Sequence, residues 1–219
     1  MLAVTHAICG AAGWLAVAPA VAPAMTSTEL ATSTVVAAGA ALAPDIDHPG
    51  STVSRSFGPV SRLASTGVSA AAGGHRMLTH SLAFVALVGA VAWGSTAWWG
   101  ASAAALWASI PVAVAIPLLA RRLPVFISSS TGAMIAVALW WAIHNEVLAY
   151  DSWLVPALTV GVLLHTVPGD LLTPSGVPLL APFSRRRFAI PLFRTGSPAE
   201  NVVGAGLTVA TVLLFIRSV

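Results

Sequence analysis

The sequence predicts an all-α protein, a polytopic membrane bundle of about six to seven apolar helices with two long functional loops. Three observations predict it. The 219-residue chain is 57% hydrophobic and only 8% charged, against roughly 25% charged residues in soluble domains. Its mean hydropathy is +0.88. Its apolar residues gather into seven runs, near 7–24, 30–43, 81–99, 101–119, 131–149, 153–167 and 201–216. The length permits one domain, residues 1–219.

Each run has its own reading. No Lys or Arg precedes the first, and His6 interrupts its start. It is therefore expected to be a retained first helix rather than a cleaved leader. The second, at 14 residues, is too short to cross a bilayer alone, since a spanning helix needs about 20 residues. The sixth is also short. Each of these two is either a half-helix or a segment covered by its neighbours. The third, fourth, fifth and seventh are long enough to span. Gly and Ala dominate the runs, which lets helix backbones approach closely.

Two polar stretches interrupt the pattern, 44–80 and 165–200. Loops of that length are usually functional or disordered. Their Pro, Arg and ligand-type residues favour function.

The arginines set an expected topology. All ten basic residues are Arg, giving a formal charge of +3. They lie outside the apolar runs, where they meet lipid head groups rather than nucleic acid. If all seven runs cross and the 44–80 stretch is cytoplasmic, nine of the ten fall on that side and only Arg217 lies opposite. The N-terminus is then cytoplasmic too. The same count gathers His6, Asp45, Asp47, His48, His75, His80, His165, Asp170 and Glu200 at one membrane face. Cys9 is the only cysteine, so no intrachain disulfide forms.

Three short motifs carry chemistry. Pro44-Asp45-Ile46-Asp47-His48-Pro49 places three potential ligands within four residues. Its prolines argue against helix. In an extended segment, residues two apart point the same way. Asp45 and Asp47 would then share a site with His48 turned elsewhere. The donors suit Zn²⁺, Mn²⁺ or Mg²⁺. His75-Arg76-Met77-Leu78-Thr79-His80-Ser81 opens the third run. There Arg76 can grip an anionic group such as phosphate, and Thr79 or Ser81 can cap the helix. His165 through Asp170 ends the sixth run with a five-residue spacing, where a helical ligand pair prefers three or four. Glu200 is either a further ligand or an acidic residue at a helix start.

These motifs, with Thr5-His6, Thr173-Pro174, Gly176-Val177-Pro178, Pro182-Phe183 and Thr195-Gly196-Ser197, resemble the YdjM-like family of membrane-bound metal-dependent hydrolases. The resemblance covers nearly the whole chain. It implies an integral membrane protein and a distant similarity to zinc-dependent phospholipase C and related nucleases. By matching position it implies His6, Asp45, His80, His165 and Asp170 as metal ligands, with Asp47, His48, His75 and Glu200 in a second tier. Three features depart from the family pattern: the five-residue His165-to-Asp170 spacing where four is expected, Met77 and Ala181.

The expected function is hydrolysis of a phosphoester or other ester of a lipid or lipid-linked substrate at the cytoplasmic membrane face. A divalent metal, Zn²⁺ first, would activate water, with Asp47 as general base and Arg76 neutralising phosphate. No G-x-S-x-G motif points to a serine esterase. Two alternatives are a metal or proton transporter and a non-catalytic scaffold with a structural metal. The expected partners are membrane lipids, and no nucleic acid.

Overall fold

The computed structural model describes residues 1–121 and 123–219. Arg122, used in the topology count, lies outside the described residues. The helices are α1 Ala3–Val21, α2 Ser27–Ala40, α3 Thr52–Ser56, α4 Gly58–Ala72, α5 Leu82–Trp99, α6 Ala101–Leu119, α7 Val125–His144, α8 Leu154–Leu164 and α9 Pro198–Ser218. Among the described residues there is no strand, only a lone antiparallel bridge between Val177 and Phe188.

Among the described residues, six helices are long and apolar enough to cross a bilayer: α1, α5, α6, α7, α8 with its continuation to Leu172, and α9. Their outer faces carry Trp98, Met134 and Val202, at 82%, 72% and 72% exposure. In water such surfaces would be a liability; against lipid they are expected.

The 30–43 run becomes α2, whose 14 residues do not reach a spanning length. It is the centre of the bundle instead, packed against α1, α6 and α8. Its start is set by a capping box, in which Glu29 N donates to Thr26 Oγ1 at 3.3 Å and Thr26 N donates to Glu29 Oε2 at 2.7 Å. Close approach fixes its position. A Cβ on Gly39 would lie 2.2 Å from the Pro111 carbonyl oxygen, and one on Gly161 would lie 2.4 Å from that of Ala37. Because α2 is only about 21 Å long, the chain turns back while still inside the bundle. Leu42 is buried there with Ala7 and Val114.

That early turn corrects two expectations. Residues Ala43–Asp47 form a 3-10 turn rather than an extended segment, with Pro44 in its first turn. Proline is tolerated there because the early N–H groups have no helical partner anyway. The 44–80 stretch is also not an irregular loop, since it contains α3 and α4. Helix α4 buries Ser61 and Ser65 and leaves Val60 and Leu63 75% and 77% exposed. Ser54 donates to Ser65 Oγ at 2.9 Å, and Ser61 donates to the Ser54 carbonyl at 2.8 Å. Polar residues inside and apolar residues outside suit a helix that meets lipid.

Crossings then alternate. The N-terminus, residues 41–80 and residues 165–197 lie at one end of the bundle, as the arginine count expects.

Candidate metal centre

Four elements bring donors to that end. His6 comes from the first turns of α1, Asp45 from the 3-10 turn, His80 from a second short turn, Leu78–His80, and His165 with Asp170 from the break after α8. His6, His80, His165 and Asp170 are buried, while the Asp45 side chain is 20% exposed.

The two central imidazoles are oriented from behind. His165 Nδ1 lies 2.7 Å from the Ala41 carbonyl oxygen, which only accepts, so this nitrogen carries the proton. His80 Nδ1 lies 3.0 Å from Thr79 Oγ1, and the Thr79 hydroxyl donates to Asp47 Oδ2. Both Nε2 atoms therefore turn inward, 3.1 Å apart. Asp170 Oδ2 lies 3.4 Å from His80 Nε2 and 3.7 Å from His165 Nε2. Asp45 Oδ1 lies 3.7 Å and 3.8 Å from the same two nitrogens. Ligands about 2.0–2.1 Å from a tetrahedral Zn²⁺ would sit roughly 3.3–3.4 Å apart. These spacings fit a cation with little adjustment.

Asp170 has one engaged oxygen and one orphan. Oδ1 accepts from Arg76 Nη2 and from the Met1 nitrogen, each at 3.0 Å, and lies 3.5 Å from His6 Nε2. Oδ2 is buried and has no hydrogen-bond partner among the described residues. A buried carboxylate oxygen without a donor is costly unless a cation or water meets it. His6 stacks on His165, with ring centroids 3.8 Å apart. The geometry groups His6 with His165 and Asp170, and Asp45 with His80 and His165, as potential ligand sets.

The five-residue spacing has a structural reason. The chain kinks between His165 and Gly169, where Val167 leaves helical geometry at φ −131° and ψ 113° and Asp170 N donates to the His165 carbonyl. That bond brings residues five apart together, whereas an unbroken α-helix pairs residues four apart. Gly169 is needed there, because a Cβ would lie 2.8 Å from His6 Nδ1.

Asp47 is placed differently from the expected general base. A 3-10 turn has three residues per turn, so Asp45 and Asp47 diverge and straddle His80. Asp47 Oδ1 lies 2.7 Å from His75 Nδ1, and Oδ2 accepts from Arg76 N at 3.0 Å and from Thr79. Both oxygens are taken, on the Nδ1 side of His80. Asp47 also holds the Arg76 backbone in the left-handed region, at φ 59°. That conformation aims the guanidinium at Asp170 rather than at open space for a phosphate.

The remaining candidates stand apart. His48 is exposed and accepts from Gly50 N at 2.8 Å. His75 is the outer partner of Asp47. Glu200 is buried, but Oε1 accepts from Leu2 N and Oε2 from Gly196 N, each at 2.6 Å. It ties the start of α9 to the start of α1. Ser81, not Thr79, caps α5. Sequence reasoning missed Thr79 and the Ala41 carbonyl as orienting groups. Thr79 had a signal, its place beside His80; a backbone carbonyl has none.

Burial alone would raise the carboxyls of Asp45 and Asp47. The histidines around Asp45, and the hydrogen bonds from His75, His80 and Thr79 to Asp47, outweigh it and hold both well below the ordinary carboxylate range. For His80, burial favours the neutral ring, but Asp45, Asp47 and Asp170 raise its pKa above the ordinary 6.5. The cluster is thus an electrostatic well for positive charge.

Comparison with curated proteins and with solved structures finds no match. The profile of the family described as YdjM inner membrane protein matches residues 1–218. With six helices among the described residues fit to cross a bilayer, the chain is a multi-pass membrane protein and belongs to the YdjM inner membrane protein family.

Proposed function

We propose that this protein is a metal-dependent hydrolase acting on a lipid or lipid-linked ester, with a phosphoester as the first candidate. One observation carries the reading. The Nε2 atoms of His80 and His165 face each other at 3.1 Å, beside the orphaned Oδ2 of Asp170. His80, His165 and Asp170 would hold the ion, and Asp45 and His6 border it.

When bound, a divalent ion such as Zn²⁺ would lower the pKa of water to roughly 7 and polarise the scissile ester. The chain's own residues do the rest. Ala41 and Thr79 fix the ring tautomers, as outer partners of metal-bound histidines do. Asp47 is a positioning residue, fixing Thr79, His75 and the Arg76 backbone. Arg76 balances the charge of Asp170, and the exposed Arg187, which donates to the Arg76 carbonyl at 3.5 Å, is the cation at the rim where an anionic group would arrive. Asp45 is the partly exposed carboxylate on the open side, placed to accept a hydrogen bond from an incoming water. By the arginine count, the site faces the cytoplasm.

The test is metal content followed by turnover. Purified wild type should hold a stoichiometric divalent metal, and His80→Ala and Asp170→Ala should lose it. Hydrolysis of phosphodiesters, phosphomonoesters or lipid esters should vanish on chelation and return with Zn²⁺. Equal metal content in all three proteins would overturn the site. The burial of His80, His165 and Asp170 favours a second reading, a structural metal clamping the 3-10 turn to α8. Metal retained with no hydrolysis across the substrate panel would select it.

A further inference from the structure

We infer that the space between α5 and α6 is a binding site for one hydrocarbon chain of a membrane lipid, placed so that the lipid's ester linkage reaches the His/Asp cluster. This rests on the hydrolase reading for its catalytic meaning, though not for the binding itself.

A cavity of about 370 Å³ lies between α5, α6, α8 and the end of α2, and every residue lining it is apolar. Ligand pockets typically run roughly 300–1,000 Å³. Phe84 and Val88 of α5 and Trp107 and Ile110 of α6 form two of its walls. Trp107 is held in place by its indole N–H, which donates to Ser95 Oγ at 2.8 Å. The rigid ring makes one wall a fixed surface rather than a gap that collapses.

Water has nothing to bond there, since a buried water needs about two to four polar partners. Left empty, the walls would forgo dispersion contacts. Hydrocarbon is the available filling. The cavity has a lateral opening, because Leu87, Val91 and Ile110, all lining it, are 52%, 48% and 54% exposed. These helices are among those long and apolar enough to cross a bilayer, so the opening faces acyl chains.

Adjacency to the donor cluster is what makes this lipid crevice a substrate subsite. Ala43 and Ile46 line the cavity and flank Asp45 in the same 3-10 turn. Phe84, two residues into α5, lines it beside the His80 turn. A chain seated against Trp107 and Ile46 therefore carries its polar end toward Asp45, the partly exposed member of the cluster. Beyond lies Arg76, whose backbone carbonyl accepts from Arg187 Nη2 at 3.5 Å. The exposed guanidinium of Arg187 at that rim favours an anionic head group.

The probe is phosphatidylglycerol carrying a mid-chain diazirine, incorporated into nanodiscs with the full-length protein. After irradiation, adducts are mapped by mass spectrometry. Ile46, Val88 and Trp107 should carry at least fivefold more adduct than the lipid-facing residues Met134 and Val137 of α7. Val88→Trp, which fills the cavity, should cut the Ile46 and Trp107 adducts at least fivefold with metal content unchanged. Ile110→Trp, at the mouth, does the same from the other wall should Val88→Trp fail to fold. Equal labelling of the cavity and α7 in wild type would overturn the inference, as would labelling that neither filled variant reduces. Cavity labelling in a protein that binds no metal would uphold this subsite and remove the hydrolase reading instead.

Discussion

Two buried carboxylates separate the roles in this protein. Asp47, in the 3-10 turn after α2, has both oxygens engaged by His75, Arg76 N and Thr79. Asp170, in the break after α8, has one oxygen engaged by Arg76 and the Met1 nitrogen and one left without a partner. Full satisfaction marks a group that shapes its surroundings, and an orphan oxygen marks one that could take a cation. Sequence gives both the same label, an acidic residue near histidines. Arg76 couples them: its backbone is pinned by Asp47 and its guanidinium meets Asp170.

The largest expected effect breaks the orphan. Asp170→Asn removes the charge at the ligand oxygen and should lower metal affinity by more than about 100-fold, beyond the 10–100-fold typical of outer partners. Competition against a calibrated chelator reads this directly, and an affinity within tenfold of wild type would reject the ligand role. Asp47→Asn comes next. It should cost about 10–100-fold in metal affinity while leaving a stoichiometric site at saturating metal. Total loss of the site, equal to Asp170→Asn, would erase the distinction drawn between the two.

The pH dependence sharpens the same contrast. The His80 pKa is raised in the folded, metal-free protein. The stabilisation this provides is present below the unfolded value, near 6.5, and is lost as pH rises through the folded value. Metal competes with that proton, so metal affinity should rise over the same window. The gain in Tm on adding Zn²⁺ should therefore be larger at pH 8 than at pH 6. A gain independent of pH would mean that His80 does not exchange a proton for the ion.

The smallest effects lie outside the cluster. Glu200→Gln weakens the tie between α9 and α1 and should cost about 1–3 kcal/mol of stability with metal content intact. His48→Ala, at an exposed position, should change stability by no more than about 0.5 kcal/mol and leave metal binding unchanged. Metal loss in either variant would return that residue to the ligand set.

Much of this was legible before any coordinates. Composition exposes a membrane bundle because lipid admits few charges, and each polar residue kept in such a chain has a reason to be there. The parity of crossings places His6, Asp45, His80, His165 and Asp170 at one end, since helices of near-spanning length must alternate direction. What stayed hidden was local backbone. A tight turn and an extended segment differ little in composition around Pro44, yet one aligns Asp45 with Asp47 and the other separates them around His80. The break at Pro168 and Gly169 was legible, but the hydrogen bond from Asp170 N to the His165 carbonyl that closes it was not. Helix α4 was lost in a polar stretch because its serines face inward.

The sequence by itself determined the solvent, the alternation of helices and the end of the bundle where the candidate ligands gather. These follow from hydrophobicity and length, which are sums over many residues. Only the tertiary structure decided which carboxylate is satisfied and which is orphaned, because hydrogen bonds depend on ångström-scale backbone geometry. It also opened an apolar cavity beside Asp45, between helices whose separation no single segment specifies.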